Sequence, residues 1–386
     1  MQKDFHYYAT YCAATIAGYD HEESLAISYS DQMADWCTVT FLKSIGGPVS
    51  AATTQMQLEL MKVRTDPIGL QDITRIWSSF HFLPGDLNAK VGKGGRRYQE
   101  KYRLICDTNG PLVAKTVELA KGRGPQAIGL AMHVVADTWA HRYFAGTPSL
   151  AINNTNRHFY ELIDGKPDRQ IEFGHVPGSP DNLEEGTYNG TIYQPSERSI
   201  MNLGHGRAGH FPDYSFAKYR YLPAWADYEE VLKDNPSDYY QAFCQVVYAL
   251  RYLHGDLGSF EVDRYAYDVV APWEEEIRAI LNERVLENCE GWQRLGEKLS
   301  GRAIEDFDMH AYDDEYRGAP ADERDSTFLG QYFLAALAQK SMVTHEIYAS
   351  GNRLAGRSIE YKEGVFAGIG DYLKLIRHRK GAPNNE

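Results

Sequence analysis

Residues 130–146, LAMHVVADTWAHRYFAG, constrain what this chain can become more than any other stretch. His133, Asp137 and His141 recur at four-residue intervals. Residues four apart lie one above another on a single helical face. Val134, Val135, Ala136, Trp139 and Ala140 fill the gaps, so the pattern predicts a largely buried helix. Two imidazoles and a carboxylate in such a place need partners, because a buried polar group without one is costly. Hydrogen bonds to neighbouring side chains are the plain solution. A metal ion would satisfy all three at once, and three ligand types in phase favour it.

The rest of the chain reads as mainly helical. Helices are expected over residues 4–18, ending at Gly18, and from Asp20 onward, with Glu22 and Glu23 in the first turn and Asp31 and Asp35 near the end. Others are expected over 110–121, from Pro125 through the motif, and repeatedly from Ser237 on. Residues 45–70 fit strand or helix. ITRIWSSFHFLPGD (73–86) alternates bulky residues and reads as extended. KVGKGGRRYQ (90–99) reads as a basic surface loop, with Arg96 and Arg97 solvated, and 305–325 as an acidic loop. The 386 residues allow one large core or two intimate ones. The expectation is a mainly α, multi-helix single-domain enzyme fold with a long loop-rich insertion in the middle. Its parts would be a helical metal-binding core (1–165), a loop-rich segment contributing to the site (166–235), a C-terminal helical part (236–378) and a tail (379–386).

Charge narrows the function. The net charge is −13, and the densest basic stretch, 90–103, is short. A long nucleic-acid groove is therefore not expected, whereas a small phosphorylated substrate is compatible once metal ions supply local positive charge. Five scattered cysteines form no C-x-x-C pair, which disfavours both a disulfide scaffold and a thiolate zinc site. The opening MQKDFHYYATYC lacks a basic-then-apolar leader, and no apolar run reaches 18 residues. The expectation is a cytoplasmic protein without a membrane span. The GKGG stretch lacks the P-loop spacing, and there is neither a G-x-S-x-G elbow nor an adjacent His-Asp pair.

Of the 13 histidines, nine precede the C-terminal helices, interspersed with Asp4, Asp35, Asp86, Asp137 and Asp213. Histidine and carboxylate ligands without thiolate suit zinc, iron or manganese. More than four good candidates point to two or three ions. Asp31 reads as a solvated helix residue and His175 as a solvated loop residue.

H-x-x-x-D-x-x-x-H on a buried helix resembles the zinc-dependent phospholipase C and single-strand-specific zinc nuclease superfamily. In that superfamily the last histidine follows the aspartate by six residues; here the interval is four. The resemblance implies an all-α fold around three zinc ions. It implies an N-terminal ligand, for which Asp4 or His6 is the counterpart, since the secreted enzymes use a mature N-terminal amine. It further implies an aspartate from an early helix (Asp35), a lone mid-chain histidine (His81) and a later His/Glu pair (His158 with Glu161). That pair stands three residues apart and would still share a helical face. The tyrosine-rich opening and FHFLPGD also resemble bacterial and fungal proteins of uncharacterised function.

A second cluster, GHGRAGHFPDY (204–214), holds His205, Arg207, His210 and Asp213. Glycine lets backbone approach a ligand, and an arginine can hold a phosphate. It reads equally as an active-site loop or a surface turn. The functional expectation is a metal-dependent hydrolase of a phosphoester. Asp4, His6, Asp35, His81, His133, Asp137, His141, His158 and Glu161 would be metal ligands. Asp35 or Asp86 would bridge ions or act as the base, and Arg207, His205 and Asp213 would assist catalysis. Zinc is the expected ion, with iron or manganese as alternatives. Rival readings are a di-iron or di-manganese redox enzyme and a non-catalytic helical binding protein stapled by metal.

Overall fold

Pro125 opens the motif helix, Pro125–Ala140, at a position where its missing N–H needs no partner. All residues from Ile128 to Ala140 are buried. His141 lies one step past the last turn and caps it, its N–H donating to the Asp137 carbonyl at 2.9 Å. The buried Lys233 ammonium donates to the Trp139 carbonyl at 2.7 Å. That places positive charge where the helix dipole is negative. The computed structural model describes residues 1–62, 67–92, 94–176, 178–227 and 229–356.

The neighbouring helix, His21–Gln32, starts with a capping box between Asp20 and Glu23. It lies against the motif helix at Gly129, where a Cβ would come within 2.1 Å of the Ile27 carbonyl oxygen. Helices Asn235–His254, Pro111–Ala120 and Phe328–Ala349 complete the packing around the motif helix. Polar pins cross this core: Trp139 Nε1 donates to Gln245 Oε1 at 2.7 Å, and Gln339 Nε2 to Thr116 Oγ1 at 3.0 Å. The chain opens with a π-helical stretch, Asp4–Ala9, that runs into helix Thr10–Ala17 and ends at Gly18 in the left-handed conformation. All six π-helical residues are buried. π-turns are rare and often accompany functional side chains.

Beside the helices stands a four-stranded antiparallel sheet: β1 (Phe159–Glu161), β2 (Arg169–Gln170), β3 (Lys218–Tyr221) and β4 (Val231–Asp234), in the order β2-β1-β3-β4. The register pairs Tyr160 with Arg220 and Tyr219 with Lys233. Phe159, Tyr188, Phe211, Tyr219 and Tyr221 make a separate aromatic core that reaches Phe82 and Phe144.

The mainly helical expectation stands among the described residues. Residues 166–235, expected to be loop-rich, carry strands β2 to β4, and β1 lies within 1–165, the part expected to be helical. Residues 73–80 are not extended but lie in helix Pro67–Phe80. Ile73, Ile76 and Phe80 are buried at helical spacing, and this periodicity prevails over their β-leaning composition. Within 90–99 a helix, Arg96–Tyr102, begins, and buries Lys101. Long helices dominate from residue 235 on, and 305–325 includes the short helix Asp313–Gly318. The expected tail, 379–386, lies outside the described residues. No described helix is long and apolar enough to cross a membrane.

Candidate metal centre

Four carboxylates and five histidines converge where the motif helix, the His21–Gln32 helix and the loops at 81 and 205–213 meet. Asp137 is the hub. Its Oδ1 lies 2.7 Å from the Met1 amino group and 3.2 Å from His6 Nε2. Its Oδ2 lies 3.1 Å from His81 Nδ1, 3.2 Å from His133 Nε2 and 3.5 Å from His141 Nδ1.

Around this hub the potential ligands form three groups: His6, Asp31 and His133; Asp35, His81 and His133; and His141, His205 and Asp213. In the first, Asp31 Oδ1 is 2.7 Å from His6 Nδ1 and 3.1 Å from His133 Nδ1, and the two imidazoles stack at 4.0 Å. Thr10 Oγ1 donates to Asp31 Oδ2 at 2.6 Å and fixes the carboxylate. All three residues are sealed from solvent. In the second, Asp35 Oδ1 stands 3.8 Å from His81 Nδ1 and 3.9 Å from His133 Nε2, and its side chain is 32% exposed. In the third, Asp213 Oδ1 is 2.9 Å from His141 Nε2 and 3.5 Å from His205 Nε2.

The histidine tautomers follow from the carbonyls that hold them, because a carbonyl only accepts. His81 Nε2–H donates to the Thr53 carbonyl at 3.1 Å, His141 Nδ1–H to the His81 carbonyl at 2.5 Å, and His205 Nδ1–H to the Gly209 carbonyl at 2.7 Å. The other nitrogen of each ring faces a carboxylate oxygen: His81 at Asp137, His141 and His205 at Asp213. Acceptor facing acceptor is repulsive unless a cation or proton stands between. His6 Nδ1 adds an orphan, close to Asp31 but not aligned for a hydrogen bond. This donor set fits metal ions: one ring nitrogen tethered to backbone, the other presented with carboxylates in a buried cleft.

Charges reinforce one another here. Burial opposes ionisation of Asp137, but His141, the Met1 amine, His133 and His6 together hold it well below the usual carboxylate range. Asp213 is held down likewise, burial being outweighed by His205, the Met1 amine and the hydrogen bonds of His141 and His210. Burial works against charge on His133, yet Asp137 and Asp35 push it up to about 10. His205 goes the other way, to about 4, because burial dominates. The Met1 amine is raised to about 11, against the effect of burial, by Asp137, Asp213 and Asp35.

Five expected site residues lie elsewhere. Asp4 is buried but accepts from the Phe5 and Asn288 backbone N–H groups, each at 2.9 Å, and burial lifts its carboxyl to about 6. The Met1 amine and His6, not Asp4, lie beside Asp137. Asp86 is exposed and closes a turn by accepting from Asn88 N–H. Arg207 bonds Asn154 and lies over the Tyr193 ring, 4.7 Å from its centroid. His158 and Glu161 fall on or beside strand β1, not a helix, so their three-residue spacing sends them to opposite faces. His158 pairs with Glu230 at the surface, while buried Glu161 is clamped by Arg169 and Arg284. Conversely, Asp31, read as solvated, is fully buried in the first group. Its signal was the spacing: Asp31 and Asp35, four apart, mirror His133 and Asp137 across the helix pair. His205 and Asp213, expected to be catalytic, stand among the potential ligands.

No significant match exists among curated proteins or solved structures. Residues 1–347 match a family described as a family of unknown function, DUF6765, and the chain belongs to that family.

Proposed function

We propose that this protein is a metal-dependent hydrolase of a phosphoester, with ions held by the three groups around Asp137. One observation carries the reading. His81, His141 and His205 each spend one ring nitrogen on a backbone carbonyl and present the other to a carboxylate. That arrangement calls for a proton or a cation between nitrogen and oxygen and is how proteins pre-orient histidine ligands. The three groups also equal the number of ions implied by the resemblance to the zinc phospholipase and nuclease superfamily, and that kinship belongs to the same proposal.

Zinc-type ions bound there would polarise a phosphoryl oxygen and lower the pKa of a bound water toward neutrality. The protein's own residues divide the remaining work. The sealed group, His6, Asp31 and His133, would hold an ion structurally. Asp35 sits at the mouth of the second group and accepts a hydrogen bond from Gln32 Nε2 at 3.3 Å. It is placed to accept the proton of an attacking water. Half-buried His205 and buried Asp213 line the third group, beside exposed His210. Phe82 stacks on His141 at 4.6 Å and walls the cleft from bulk water.

Elemental analysis of the purified protein, followed by assays on bis(p-nitrophenyl) phosphate and p-nitrophenyl phosphate with and without chelator, tests this. The expected result is two or three zinc ions per chain and hydrolysis that chelator abolishes and zinc restores. Two irons without hydrolysis would transfer the case to redox chemistry. A folded protein that never carries metal would end it.

A further inference from the structure

The basic stretch at 90–103, which plays no part in the metal centre, builds a separate cavity of about 310 Å³. Helix Arg96–Tyr102 contributes Arg96, Arg97 and Lys101. Arg198 and Arg353 enter from distant parts of the chain. Leu70, Pro148 and Leu354 form apolar wall, and the Thr74 and Thr147 hydroxyls, 3.0 Å apart, lie at its buried side.

Five cations around one cavity are unusual in a chain of net charge −13. Two are neutralised locally: Arg96 by Glu100 at 3.2 Å and buried Lys101 by Glu197. Arg353 spends Nη1 on the Tyr348 carbonyl at 2.7 Å and pairs with no carboxylate among the described residues. Among the described residues, Arg97 and Arg198 have no carboxylate partner. Three guanidinium charges are thus left at the rim. Guanidinium forks match phosphate oxygens, and an excess of three charges suits a dianion better than a single carboxylate.

We propose that this cavity binds a small phosphate monoester, its phosphate held by Arg97, Arg198 and Arg353 and its uncharged portion against Leu70, Pro148 and Leu354. The site is distinct from the metal centre and does not depend on the hydrolase reading. It is built on segments that lead to candidate ligands. Thr74 precedes His81 by seven residues, about 10 Å along a helix. Thr147 follows His141 and Arg198 precedes His205.

Calorimetric titration of the purified full chain with phenyl phosphate, with benzoate and phenol in parallel, tests the proposal. The expected result is one saturable phenyl phosphate site that weakens as salt rises. The Arg97→Ala/Arg198→Ala double variant should bind roughly tenfold or more weakly, since each charge-assisted hydrogen bond is worth about that factor. Its metal content and melting temperature should stay at the wild-type level, because neither side chain has a carboxylate partner to lose among the described residues. Undiminished binding in the double variant would overturn the proposal, as would benzoate binding equally well. So would loss of binding in Asp137→Asn with retention in the arginine variant, because the probe would then sit at the metal centre.

Discussion

Asp137 and Glu161 are both buried carboxylates ringed by nitrogen, and they separate two kinds of acidic side chain. Asp137 faces the Met1 ammonium and the ring nitrogens of His6, His81, His133 and His141; Glu161 faces two guanidinium groups and the Tyr188 hydroxyl, all of which donate. Only the first stands among groups that could hold an ion. Asp137→Asn should therefore lose at least one equivalent of metal by elemental analysis. Asp31→Asn should also lower the content, although the residue looks like surface in the sequence. Glu161→Gln should keep the full complement and lose stability instead, by about 2–3 kcal/mol in denaturant titration. The buried ion-pair cost is reduced because Arg169 and Arg284 are partly exposed. His158→Ala should change neither quantity. Metal loss in Glu161→Gln with retention in Asp137→Asn would reverse this assignment.

At the level of elements, the centre depends on how closely two helices approach. Gly129 lets the His21–Gln32 helix settle where Asp31 meets His133. Any Cβ there would meet backbone, which cannot rotate away. Gly129→Ala should cost about 1–3 kcal/mol by overpacking, and its metal content should fall as Asp31 is displaced. A variant as stable and as metal-rich as wild type would show that the helices part without consequence. Gly204 makes a similar demand on the other side. Its φ is +52°, and a Cβ would come 2.2 Å from the Phe82 ring, which packs against both His141 and His205. Gly204→Ala should disturb the third group while leaving the first intact, seen as loss of one ion.

Across the whole molecule, the candidate ligands come from segments that are otherwise far apart: the opening π-helical turn, the early helix, the loop after Phe80, the motif helix and the loop at 205–213. Ions bound to the native arrangement and not to the unfolded chain stabilise it by mass action, by about 4 kcal/mol at a thousandfold excess over Kd. Chelation should lower the melting temperature by several degrees and zinc should restore it, as followed by scanning calorimetry. An unchanged melting temperature after complete metal removal would show that the carboxylate and histidine network holds the fold on protons alone.

The local pattern was enough to find the motif helix, because a four-residue spacing of ligands on an apolar background is a property of the helix itself. His133, Asp137 and His141, the early helix bearing Asp35, and the C-terminal helices were all legible on that ground, whereas His81 entered only through the resemblance, at the end of a stretch read as extended. Tertiary structure alone decided the rest. Asp31 and Asp86 look alike as acidic residues in a sequence. One is turned into the core by a glycine contact a hundred residues away, and the other closes a turn in solvent. His158 and Glu161 lost their shared face when residues 159–161 paired with residues 219–221, a long-range choice that no local spacing records. His205 and Asp213 joined His141 because the loop carrying them folds over Phe82. Arg96 and Arg97 acquired a cavity only when Arg198 and Arg353 arrived beside them. Helical periodicity is local and therefore readable, whereas a ligand shell is assembled by contacts between distant segments.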